Sequence, residues 1–248
     1  MSQLDLALDA GISTRHLSFL ETGRAKPSPE MLLRLAEQLQ VPLRERNQLL
    51  LAGGYAPQYA ARALEDPEMT PIRDAVGHVL TGHEPYPAIA VDRGWNLLAS
   101  NSALGPLLEG VAPELLQPPA NCIRIALHPD GMAPRILNLG EWRGHLLRRL
   151  EREIALTGDE RVVELRDDVL GYPGDTDSEA PLGSSVDIMI MLRLATDVTD
   201  AGELSFFSTV TTFGTAVDIT VSELSIEAFF PADASTADAL GALAAAPA

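Results

Sequence analysis

Cysteine is nearly absent: the 248 residues hold one, Cys122. A single thiol excludes an intramolecular disulfide framework and every zinc pattern that needs several cysteines. Long apolar runs are missing too, and none approaches the ~18–20 residues that a membrane span requires. The first residues include Asp5 and Asp9 and no basic segment ahead of an apolar run, which predicts no secretory leader. Positive charge is scarce. Eighteen Lys and Arg face 35 Asp and Glu, for a net charge of −17, a balance that argues against general nucleic-acid binding. Catalytic signatures are lacking as well. His16, His78, His83, His128 and His145 form no HExxH pattern. No GxSxG and no glycine-rich phosphate loop after a strand occurs. The sequence therefore predicts a cytoplasmic protein without membrane insertion, not an enzyme, with no metal site.

What is present is a hydrophobic content of 46%, enough for one large core or two ordinary ones. Charge is unevenly spread. Residues 1–57 carry six basic and six acidic groups, so the whole −17 resides in the remaining 12 basic and 29 acidic residues. Screening over roughly 8 Å at physiological salt hides most of that remote charge from a partner of the first segment.

Within that segment the punctuation is helical. Ser2 can cap a helix carrying Leu4, Ala7 and Leu8 at i, i+3, i+4. Gly11 can take the positive φ that ends it. Ser13 caps the stretch TRHLSFLE, whose Leu17 and Leu20 point inward, and Thr22-Gly23 closes it. Ser28 followed by Pro29 opens a third helix with the stripe Leu32, Leu35, Ala36, Leu39. Pro42 opens a fourth, closed by Gly53-Gly54.

The order Ser2-Gln3, Leu6-Ala7, Ala10-Gly11, Ser13, Leu17, Ser18, Glu21, Gly23-Arg24, Pro27-Ser28, Leu35-Ala36 resembles the Xre, or lambda-repressor-like, helix-turn-helix. The resemblance implies operator DNA as partner, a homodimer, and a recognition helix starting near residue 13. The N-terminal residues of such a helix meet base edges. That selects Thr14 and Arg15, with Ser18 and Phe19 one turn on. Arg15 can donate two bonds to guanine, and the Phe19 ring can touch a thymine methyl. Gln3 is expected near a phosphate, while Arg24 and Lys26 position the backbone. Members of this class carry an amphipathic helix before the Ser-Gln pair. Only Met1 stands there, so Leu4, Leu8 and Leu49 are expected to be bared, and the native start is expected further upstream.

Tyr55, Pro57, Asp66-Pro67 and Thr70-Pro71 mark a change of register. The reading is a DNA-binding domain over 1–57, a linker over 58–70 and a second domain over 71–248. Ile72, Val76, Val79 and Leu80 form one helical face. PAIAVDRGWNLLASN reads as two short strands around Asp92-Arg93-Gly94, and NCIRIALH as a short helix. NLGEWRGHLLRRLEREIALTG is a long amphipathic helix, its Arg148, Arg149, Glu151, Arg152 and Glu153 on a solvated face. DERVVELRDDVLGY is another helix, and PGDTDSEAPLGSS a loop. The period then becomes two: VDIMIMLRLAT, ELSFFSTVTTFG and SELSIEAFFPAD read as strands. A last helix begins near Ala234. The class is α+β with an antiparallel sheet.

DRGWNLLASN, NCIRIALHPDG and GELSFFSTVTTFGTAVDITVSELSIEAFFPAD, together with the helix-turn-helix, resemble the MmyB-like transcription regulators. The resemblance implies a PAS-like second domain whose five-stranded sheet cups an apolar, fatty-acid-like small molecule. It implies no cofactor beyond that bound fatty acid. Met189 and Met191 offer deformable walls, Phe206 and Phe207 belong to a phenylalanine cluster, and a buried acyl carboxylate needs a donor, for which Arg193, Arg124 and His128 are candidates. Two alternatives stand beside this reading: a ligand-binding interaction protein that no longer binds DNA, and a PAS sensor for another cofactor such as haem or flavin.

Overall fold

A computed structural model of the protein describes residues 2–173, 190–200 and 202–245. They divide into two compact units, Met1–Ala63 with Gly214–Ser222, and Leu64–Phe213 with Glu223–Ala248.

The first unit opens with α1 (Gln3–Asp9), α2 (Thr14–Glu21), α3 (Pro29–Gln38) and α4 (Leu43–Ala52). Side chains cap the first three starts. Ser2 and Asp5 form a reciprocal capping box. Ser13 accepts from the His16 amide, and Ser28 from the Met31 amide ahead of Pro29. Gly11 has φ 63°, a conformation that costs a residue with a Cβ about 1 kcal/mol or more. The Arg34 guanidinium donates to the Ala10 carbonyl at 3.2 Å, fastening the turn to α3. Ala7, Ala10, Leu17, Ala36 and Leu50 are buried, but Leu4 and Leu8 are 58% and 69% exposed and Leu49 39%. Asn47 fixes the chain beyond α4 through the Tyr59 carbonyl and the Gln58 and Tyr59 amides. Residues 214–222 pack with this unit: the Ile219 amide donates to Ala60, and Arg62 pairs with Asp218 at 2.9 Å.

In the second unit come α5 (Thr70–Gly82), β1 (Ala88–Val91), β2 (Leu97–Ser100), α6 (Cys122–Leu127), α7 (Leu139–Thr157), α8 (Glu160–Leu170), β3 (Leu192–Ala195) and β4 (Glu203–Thr212). A short helix, α9 (Ile219–Glu223), belongs almost wholly to the first unit's segment 214–222, and β5 (Ser225–Pro231) and α10 (Ala234–Ala245) complete the second. The fold is α+β. Five antiparallel strands form one curled sheet in the order β2-β1-β5-β4-β3, so the last strand is central.

The pleat divides the core. Ala88 and Ala90 of β1 and Ile226 of β5 pack with Val76 and Leu80 of α5. The opposite face, with Leu192, Leu194, Leu204 and Phe206, joins α6, α7 and α8 in the larger core. Small alanines beneath α5 let the helix approach its strand closely. Gly131 is demanded by a close approach rather than by φ: a Cβ there would lie 2.2 Å from the Ile125 carbonyl oxygen.

Two expectations change, and one helix adds to them. Of the strand anticipated over VDIMIMLRLAT, the described residues 190–196 are β from Leu192 to Ala195; Val186 to Met189 lie outside the described residues. Arg149 is not on the solvated face: its side chain is mostly buried against Glu227, while Arg148, Glu151 and Arg152 are exposed and Glu153, half-buried, pairs with Arg93. Residues 219–223 are helical although rich in β-branched side chains, because Asp218 accepts from the Thr220 amide at 2.9 Å and nucleates a turn.

Candidate functional site: a recognition helix and an apolar cavity

In the first unit, helix α2 presents its N-terminal turn outward. Thr14 and Arg15 are exposed and Ser18 and Phe19 half-buried, while Leu17 is buried on the opposite side. These four share one helical face by spacing. The Arg15 guanidinium lies 5.3 Å from the Phe19 ring centroid, a cation–π contact that extends the arginine without burying it. The turn after α2 carries exposed Arg24 and Lys26. Lys26 rests over Tyr55, 5.2 Å from its centroid, and the Tyr55 hydroxyl donates to Pro27. Gln3 is exposed and its amide donates to the Glu21 carboxylate, tying α1 to α2. The sequence-predicted DNA residues are thus brought together around one helix and the turn that follows it.

The second unit contains an apolar cavity with about 80 Å³ of free space. Its walls come from both strands and helices: Ile89 of β1, Trp95 and Leu97 at the β1–β2 turn, Cys122, Ile123, Ile125 and Ala126 of α6, Trp142 and Leu146 of α7, Leu192, Phe206 and Phe229. The chain's two tryptophans both line it. Trp95 holds a left-handed backbone, φ 64°, which is strained for a non-glycine residue. Amide and carbonyl contacts keep it there: its N–H donates to Asp92, and its carbonyl accepts from Cys122.

One ionisable side chain other than Cys122 stands in that wall. Glu227 of β5 is 3% exposed. Its Oε1 accepts from the Arg149 guanidinium at 3.0 Å and from the Ser208 hydroxyl at 2.7 Å. Arg149 in turn lies 4.3 Å from the Trp95 ring centroid. Burial, first, and the nearby charges of Glu227 and Asp92 push the Cys122 thiol up to about 12, so it stays protonated and inert at neutral pH.

The other ligand candidates fall differently. Phe206 lines the cavity, whereas Phe207 points to the other face and stacks on Phe230 at 5.1 Å. Met191 precedes β3, is 39% exposed and does not line the cavity; Met189 lies outside the described residues. Arg193 is exposed and pairs with Glu203 at 2.6 Å. Arg124 pairs with Asp168, and His128 accepts from the Asp130 amide through Nδ1. None of these three donors lines the cavity. Sequence reasoning passed over Glu227 and Arg149. A signal existed: an acidic residue inside the apolar run SIEAFF shares its parity with Phe229, not with Ile226.

A helix-turn-helix beside a domain built around an apolar cavity defines a class, the ligand-responsive DNA-binding regulators. Comparison with protein families agrees. A helix-turn-helix model matches residues 1–46, and the model of the MmyB-like transcription regulator ligand binding domain matches residues 72–243. The chain belongs to that MmyB-like family. A search of curated proteins finds no matching relative. Both matched domains are those of regulators, and among the described residues no helix is long and apolar enough to cross a membrane.

Proposed function

We propose that the protein is a cytoplasmic transcriptional regulator in which residues 1–57 bind operator DNA, residues 58–70 link, and residues 71–248 form a PAS-like domain for a slender apolar molecule of the fatty-acid type. The observation that carries the ligand reading is the cavity, whose wall is apolar apart from Glu227 and the protonated Cys122. The curled five-stranded sheet with α6, α7 and α8 packed on one face supports the PAS-like reading. At about 80 Å³ the cavity is smaller than the ~300 Å³ of a typical small-molecule site. Leucine, isoleucine and methionine walls can change rotamer, so binding is expected to widen it. Thr14, Arg15, Ser18 and Phe19 read bases, while Gln3, Arg24 and Lys26 hold phosphates; two copies on half-sites ~34 Å apart give the specificity that one helix lacks.

Intrinsic fluorescence tests the ligand reading directly, because both tryptophans border the cavity. Titration with a medium-chain lipid should give a saturable change in emission, and native mass spectrometry should show one lipid per chain. Linear, unsaturable changes would refute the site.

A further inference from the structure

The cavity wall bears on the polar end of the ligand, on the reading that the cavity is the ligand site. Arg193, Arg124 and His128 are engaged elsewhere, so no donor among them waits there for a carboxylate. What waits is an acceptor. Both side-chain hydrogen bonds of Glu227 fall on Oε1. Among the described residues nothing donates to Oε2, and yet that oxygen is not sealed off as a buried atom without a partner. Glu227 lines the free space, and Oε2 is the carboxylate oxygen left to meet a ligand there.

Charge narrows the choice. Arg149 and Glu227 neutralise each other at 3.0 Å. A second carboxylate beside Glu227 would add an uncompensated negative charge in an apolar wall, and an ammonium an uncompensated positive one, each at high desolvation cost. A neutral donor adds neither, and it gives Oε2 the bond it lacks. We propose that Glu227 is a specificity-determining residue that selects an apolar ligand ending in an uncharged hydrogen-bond donor, a hydroxyl in the first place, over the corresponding carboxylate. Ser208 and Arg149 hold the carboxylate in place from its other oxygen, and the Trp95 ring holds Arg149.

The test is tryptophan-fluorescence titration of the full chain at pH 7.5 with 1-decanol, decanoate and methyl decanoate. A charge-assisted hydrogen bond predicts that 1-decanol binds roughly tenfold or more tighter than either of the others. The ester separates the need for a donor from the dislike of charge. Glu227→Gln keeps an acceptor for Arg149 and Ser208 but turns an amide donor to the cavity, so the alcohol's preference should shrink at least severalfold and the ester should gain. Decanoate binding as tightly as 1-decanol would overturn the proposal while leaving the cavity as the ligand site. Saturable binding of none of the three would overturn the cavity reading, and the proposal with it. If the variant does not fold, the ranking on the unmodified protein decides alone.

Discussion

Asn101 shows how much one short side chain can hold. It is buried, its amide donates to the Leu80 and Tyr86 carbonyls at 3.1 and 2.8 Å, and its Oδ1 accepts from the Ala88 amide at 3.1 Å. It thereby joins the end of α5 to the start of β1. Asn101→Ala should orphan these backbone groups at about 1–3 kcal/mol each; urea denaturation with an unmoved midpoint would contradict this. Arg143 is a second case, buried and donating to the Val169, Leu170 and Tyr172 carbonyls at the end of α8. His145 makes a prediction about pH. Burial, then the charges of Arg149, Arg148 and Arg152, lower its pKa from 6.5 to about 4. Between those values the unfolded chain takes up a proton that the folded chain refuses, so this residue's contribution is full above pH ~6.5 and is lost as pH falls toward ~4. His145→Gln should therefore lose less stability on acidification from pH 7 to 5 than the unmodified protein. Equal losses in parallel urea melts would remove His145 from the acid response. None of these three roles was legible in the sequence, since each depends on backbone groups or charges that only folding brings near.

Among the elements, α2 was the most legible. Ser13, the inward Leu17 and the Thr22-Gly23 stop are all local signals, and the helix runs Thr14–Glu21. Exposed Arg15 near its start predicts a division of labour. Arg15→Ala should cost specific binding about 1–3 kcal/mol and leave random-sequence DNA little changed; equal losses in gel shifts would make it a phosphate contact. Lys26→Ala should weaken both and flatten the salt dependence of binding, and an unchanged slope would remove it from the interface. The strands were legible by their period of two, but period alone does not say which face is the cavity. The methionine set was expected there; yet Leu192 and Leu194 face the core, and Met191 and Arg193 are exposed. Phenylalanines read as one cluster are split by the pleat, Phe206 and Phe229 to the cavity side and Phe207 with Phe230 to the other. The turn after α6 tests packing. Gly131→Ala would press a methyl onto the Ile125 backbone, so it should cost about 1–3 kcal/mol by thermal denaturation; a neutral effect would show that the turn has room.

For the whole molecule, the charge distribution and the two matched domains make one prediction. Residues 71–248 carry most of the negative charge, residues 1–57 sum to zero, and binding to DNA must come from a few local cations. The central claim is that this chain joins sequence-specific DNA binding to occupancy of the cavity, which requires the ligand to favour one binding-competent state over another. Selection of DNA from a random pool by the full chain, followed by affinity measurement on the enriched sequence with and without saturating 1-decanol, tests it most directly. The account predicts an enriched sequence with two related half-sites, and an affinity that shifts at least severalfold with the alcohol. No enriched sequence, or an affinity unmoved by an alcohol that demonstrably occupies the cavity, would contradict it.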